Sequence, residues 1–270
     1  MKRQWYATPY ALWMLMFTIV PLIFVVYYAF TGSDGAFTLA NFEKIATPAY
    51  IPVLLTSLKL AFFCTIICLL IGYPTAYFLA SKDFSENKML VVLILLPMWM
   101  NFLLRTYAMM TILENNGLLN TLLEKLGIGK VQFIGTEGAV LLGMVYNFLP
   151  FMVLPIYTAL KKLDAGVIEA AEDLGANPLR VITRVVVPQS IPGVISGITM
   201  VFMPAVTTFA ITRLLSNGMI YLMGDMIEEY FITVNNRNVG SSMSLVMLVL
   251  ILVTTLLLRC MNPGQKGERA

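Results

Sequence analysis

Histidine is absent from this chain, and charged residues make up only 12% of it. The first absence removes the commonest acid–base catalyst at neutral pH. It also leaves the three cysteines without the partner that zinc sites usually recruit, so no metal centre is expected. Cys64 and Cys68 stand four apart in an apolar run and read as small buried hydrophobes, and three cysteines do not make a disulfide framework. No phosphate-binding G-x-x-x-x-G-K loop occurs, so the chain is not expected to hydrolyse ATP itself. Nor does any acid lie within the long apolar runs, which argues against an intramembrane enzyme.

What is abundant is apolar: 59% of the 270 residues are hydrophobic and the mean hydropathy is +0.81. A soluble domain usually carries about a quarter charged residues. This chain therefore belongs in a bilayer, where roughly twenty apolar residues span the hydrocarbon. The expected fold is all-α, a polytopic membrane protein forming one domain over residues 1–270. Six spans are predicted at about 8–30, 56–80, 89–113, 139–160, 191–215 and 242–259. The first is too long for a secretory signal and lacks a small-residue cleavage site, so it reads as uncleaved. In the loop after the third span, Leu118, Leu119, Leu122, Leu123 and Leu126 recur at helical spacing, which predicts a short amphipathic helix at the interface.

Positive charge orients the chain. Lys2, Arg3, Lys82, Lys88, Lys161, Lys162, Arg180, Arg184, Arg259, Lys266 and Arg269 fall on one side, against Lys44, Lys125, Lys130 and Arg237 on the other. The richer side is expected to be cytoplasmic, with both termini on it. Lys59 and Arg213 sit near the outer ends of spans, where they can snorkel. Arg105 lies deeper and needs a partner from a loop or another subunit.

Between the fourth and fifth spans, residues 161–190 form a polar island. Asp164 is placed to cap a helix carrying Glu169, Ala170, Ala171 and Asp173. Gly175 stands where a left-handed corner would end it. Asn177 and Pro178 then start a second helix, which Pro188 is expected to close. The result is a rigid knuckle, a shape suited to a socket on another protein. Prolines recur inside the spans, and Pro204, followed by Thr207 and Thr208, marks a candidate broken helix along a path. Trp99, Asn101, Arg105, Tyr107, Tyr146 and Asn147 are further path candidates; belt residues and helix–helix glue are the competing reading for the aromatic and amide side chains. In the last outer loop, a helix over Met219 to Ile232 would set Asp225, Glu228 and Glu229 on one face, either as a solvated charged surface or facing a cationic partner: Arg105 or Arg213, basic residues of a docking protein, or a cationic solute.

The ordered set Glu169-Ala170-Ala171, Gly175, Val185, Val187 and Pro188 resembles the "EAA" loop of ABC importer permeases, with valines where that family more often shows Ile and Leu. The whole chain is similar to a type I permease subunit. Gly72-Tyr73-Pro74, Leu95 to Trp99, Leu104 to Tyr107, and Gly224-Asp225 with Glu228 narrow the similarity to the spermidine/putrescine (PotB-like) permease branch. The resemblance implies a multi-pass protein of the bacterial inner membrane. It also implies a second homologous permease subunit, an ATPase dimer docked on the knuckle and holding the ATP and Mg, and an extracytoplasmic solute-binding protein. No cofactor on this chain and no nucleic acid are implied. Alternatives are a permease for another small solute, such as an aminophosphonate or organic cation, or an ATP-independent channel.

Overall fold

The structure, a computed structural model, describes residues 8–32, 34–45, 47–81 and 88–260. Both termini, and most of the turn after the second span, lie outside the described residues, as do the expectations placed on them.

The described chain is mostly helical, with one isolated antiparallel β-bridge between Thr31 and Phe37 among the described residues. The first span, Pro9–Ala29 (α1), contains a π-helical turn at Leu15–Ile19. A short helix, Ala40–Ile45 (α2), follows, and then the second span, Ile51–Ala80 (α3). That span starts earlier than expected because Pro52 falls in its first turn, where a missing N–H costs nothing.

The third span is not one helix, which corrects the prediction of a continuous run over 89–113. Lys88–Trp99 (α4) ends just after Pro97, and Phe102–Leu113 (α5) begins afresh. The cause is local. Asn101 Oδ1 accepts hydrogen bonds from the amides of Leu103 (2.8 Å) and Leu104 (3.3 Å), so its side chain starts a new helix.

Leu118–Lys125 (α6) is the helix anticipated in the next loop, and Glu137–Leu160 (α7) is the fourth span. The knuckle helix is Ala165–Asp173 (α8). The following helix, Pro178–Thr207 (α9), is longer than expected and carries the fifth span. Pro188 does not close it. A π-helical turn at Ile182–Val186 immediately precedes Pro188 and re-routes the hydrogen bonds that a proline interrupts. The fifth span breaks instead at Thr208, where ψ is 143°. Ala210–Leu215 (α10) completes it. Met223–Ile232 (α11) begins four residues later than the sequence suggests, and Arg237–Cys260 (α12) is the last span.

The centre of the molecule is the mutual packing of α3, α7 and α9. Glycine permits it: a Cβ on Gly197 of α9 would lie 3.2 Å from the Met152 carbonyl oxygen of α7. Small residues at such crossings bring helices close where lipid offers no hydrophobic drive. α1 packs on α12 and presents only exposed apolar side chains along most of its length, as a lipid-facing helix should. The bundle has two distinct ends. At one, α8 covers the tails of α3 and α7 around Tyr77, Ser81 and Leu160. At the other, Lys59 meets Glu137 at 2.6 Å, and the Met223 amide donates to Ser57 Oγ at 2.8 Å.

Candidate coupling knuckle and translocation path

The knuckle is built from three local devices. Asp164 Oδ1 accepts from the Gly166 amide (2.9 Å) and starts α8. At its end the Gly175 amide bonds the Glu172 carbonyl (2.8 Å) and the Ala176 amide reaches back to the Ala171 carbonyl (3.1 Å). That closure requires a left-handed residue, and Gly175 has φ +79°. Asn177 Oδ1 then accepts from the Arg180 amide (2.9 Å), with Pro178 in the first turn of α9. Two capped helices meet at a glycine corner, and Leu174 and Leu179 stand exposed on its outside. Glu169 and Glu172, with Lys161 and Tyr77, line a cavity of about 460 Å³ between the knuckle and the bundle. Ala170, exposed, lies outside this cavity lining, and Ala171 is half-buried against the core.

At the other end, the break in α9 is the organising feature. Thr207 Oγ1 donates to the Met203 carbonyl (3.1 Å), one residue before Pro204, and Thr208 is buried at the break itself. α11 rests on the carbonyls opened there. A Cβ on Gly224 would stand 2.5 Å from the oxygens of both Thr207 and Thr208, so only glycine lets α11 seat this closely. Thr207, Gly224 and Glu228 share a groove of about 470 Å³ with Phe209 and Met247.

Behind the groove, Asp225, Glu228 and Glu229 line a second cavity of about 320 Å³ with Arg213 and Tyr221. Each carboxylate has a distinct job. Asp225 Oδ2 accepts from the Leu222 amide (2.9 Å) and caps its own helix. Glu228 pairs with Arg213 Nη1 at 2.7 Å, and Glu229 accepts from the Tyr221 hydroxyl. Burial pushes the Asp225 carboxyl up to about 6, its bond from Leu222 opposing the shift and neighbouring Glu228 adding to it.

A family model described as "Binding-protein-dependent transport system inner membrane component" matches residues 69–267. The chain belongs to that family. The spermidine/putrescine transport system permease protein PotB of Haemophilus influenzae is 37% identical over 247 residues, 88% of this chain and 86% of that one. Its Escherichia coli K12 counterpart is 34% identical, covering 88% and 90%. Among solved structures, a bacterial ABC transporter involved in alginate import matches with a TM-score of 0.79 at 19% identity, covering 96% of each chain. A second, in complex with an alginate pentasaccharide-bound periplasmic protein, has a TM-score of 0.78 at 19% identity, covering 98% and 96%. At that identity the two share the fold. This chain is a multi-pass inner-membrane permease subunit of an ABC importer, and its work is transport.

In this permease the remaining candidates separate into two groups. Arg105 is only 4% exposed, and its Nε and Nη1 have no hydrogen-bond partner among the described residues. Beside it, Asn147 donates from Nδ2 to Gly143 O (2.9 Å) and Thr106 Oγ1 (3.3 Å) while its own Oδ1 is unpartnered. Tyr146 precedes it on α7, partly exposed. The second group stays apart from the cavities described: Trp99 is 81% exposed at the end of α4, Tyr107 faces outward on α5, and Asn101 caps α5.

Sequence reasoning left the partner of Glu228 open and missed two pairs and one contact. Arg213, one of the partners left open for the acidic face, is the ion-pair partner of Glu228; their spacing of fifteen crosses a turn, and no local pattern chooses it over Arg105. Lys59, expected to snorkel, pairs with Glu137. Tyr221 with Glu229 is the second such pair. The close approach at Gly224 had one available sign, a glycine directly ahead of an acidic helix.

Proposed function

We propose that this permease imports polyamines such as spermidine and putrescine. The observation that carries the reading is the cavity at the end opposite the knuckle. Three carboxylates face one guanidinium there, a net negative lining beside the broken helix of the fifth span. A linear polycation is the solute such a lining attracts. The relatives at 34–37% identity bear spermidine/putrescine names, which supports the same cargo.

In this reading the knuckle end is cytoplasmic, with both chain termini on that side. It docks an ATPase dimer that holds the ATP and Mg, and this chain binds no cofactor. Glu169 and Asp173 make polar contacts at the socket, Ala170 and Ala171 allow close approach, and Gly175 and Pro178 hold the shape of the unit. A second, homologous permease subunit completes the path, and a solute-binding protein delivers cargo at the α10–α11 end. ATP binding moves the socket, the knuckle follows, and the path opens alternately to each side. Thr207, Thr208 and Glu228 line the path at the break. Pro204 sets the break in place.

The test is uptake of radiolabelled spermidine into proteoliposomes of the assembled transporter. Asp225→Asn and Glu228→Gln are expected to lower uptake severalfold at saturating binding protein while leaving assembly and basal ATP hydrolysis unchanged. Parental uptake in both variants would sink the cavity's role, and parental uptake of an unrelated organic solute in its place would sink the polyamine assignment.

A further inference from the structure

We infer that α6 is a membrane-surface anchor, with one side seated in the lipid of the leaflet at the end opposite the knuckle. The helix and its capping residue Leu126 divide into three sectors. One faces protein: Leu119 and Leu123 are half-buried, and Asn120 is fully buried. A second is polar and exposed, with Thr121, Glu124 and Lys125. The third is apolar and also exposed: Leu118 at 73%, Leu122 at 55% and Leu126 at 65%, spaced i, i+4 and i+8. A helix lying flat in an interface needs all three sectors, one each for protein, water and lipid.

The apolar sector is held outward rigidly. Asn120 Nδ2 donates to the carbonyls of Glu114 (3.2 Å) and Val131 (2.9 Å), and its Oδ1 accepts from the Val131 amide (2.9 Å). With all three bonds made, the helix cannot roll to bury its leucines. Something outside the chain must cover them.

Continuity decides what. α6 follows α5 after four residues and packs against it. On α5, the half of the expected third span nearer α6, Leu104, Ala108 and Ile112 form another exposed stripe at i, i+4 and i+8. The apolar surface therefore runs up α5 and onto α6. Glu124, Lys125 and Lys130, the last bonded to Asn116 Oδ1 at 3.0 Å, are exposed beside this surface and supply the polar groups that headgroups and water would meet. A docking surface for a soluble partner would not be expected to continue a lipid-facing one.

The experiment places a single tryptophan reporter in the full chain, with Trp5, Trp13 and Trp99 replaced by phenylalanine. The assembled transporter is reconstituted into phospholipid vesicles brominated near the glycerol end of the acyl chains. Leu122→Trp and Leu118→Trp are expected to be quenched by the brominated lipid at least about twofold more than Glu124→Trp. Aqueous acrylamide should give the reverse order, and adding the solute-binding protein should change neither. The two lipid-sector variants are read by the same rule, so either one that assembles suffices; should neither assemble, a spin-labelled cysteine at Leu126 must be more accessible to oxygen than to an aqueous nickel chelate. Equal quenching in both sectors overturns the inference. So does shielding of Leu122→Trp by the binding protein, which would make this face its docking site. Neither result depends on the cargo.

Discussion

The knuckle offers a test in which geometry alone sets the outcome. Gly175 has φ +79°, and a Cβ built on it meets nothing within 4 Å. Substitution there therefore creates no clash, and its whole cost is backbone strain. Alanine pays about 1–2 kcal/mol at a left-handed position, valine more because of its branched Cβ, and asparagine less because it visits that region readily. One to two kcal/mol is a factor of roughly 5–30 in the population of the bent loop. The series Gly175→Asn, Gly175→Ala and Gly175→Val should thus lower coupling in that order, with asparagine near the parent and alanine down by up to about 5–30-fold. The assay is ATP hydrolysis stimulated by the solute-binding protein in proteoliposomes, paired with solute uptake. Expression and helix content, read by circular dichroism, should not change, because the corner lies outside every span. Parental coupling in the valine variant, with the ATPase still bound, would refute the rigid-knuckle argument.

Three further outcomes are expected. Gly224→Ala forces a methyl to within 2.5 Å of two carbonyl oxygens, an overpacking cost of about 1–3 kcal/mol, so it should lower the melting temperature of the purified transporter where Gly175→Ala does so far less; equal melting would mean that α11 is not seated on the break. Because Asp225 is raised to about 6, it gains a proton as pH falls through that value; uptake should drop between pH 7 and 5, and Asp225→Asn should flatten the profile at its low level. A parental profile in that variant removes Asp225 from the pH response. In a chain lacking Cys64, Cys68 and Cys260, Asn235→Cys should react with a membrane-impermeant thiol reagent on intact cells, and Asn177→Cys only after permeabilisation; the reverse pattern inverts the orientation.

The sequence by itself determined whatever depends on neighbours three or four residues apart. Apolar runs of span length, the caps at Asp164 and Asn177, the glycine corner and the leucine spacing of α6 are all of this kind, because a helix's hydrogen bonds and faces are set within one or two turns. Even there, one local competition was misjudged. Pro188 looked like a helix end, but the π turn before it satisfies the backbone, so α9 runs on. Asn101, one of the path candidates, also uses its side chain to begin α5 and so divides the third span. Only the tertiary structure decided which groups meet across elements. Ser57 with Met223, Lys59 with Glu137, and Arg213 with Glu228 join helices that the chain separates by 15 to 166 residues, and packing alone sets those distances. The same holds for the carbonyls under Gly224: a broken helix leaves them open, and what closes on them depends on how the last two spans pack.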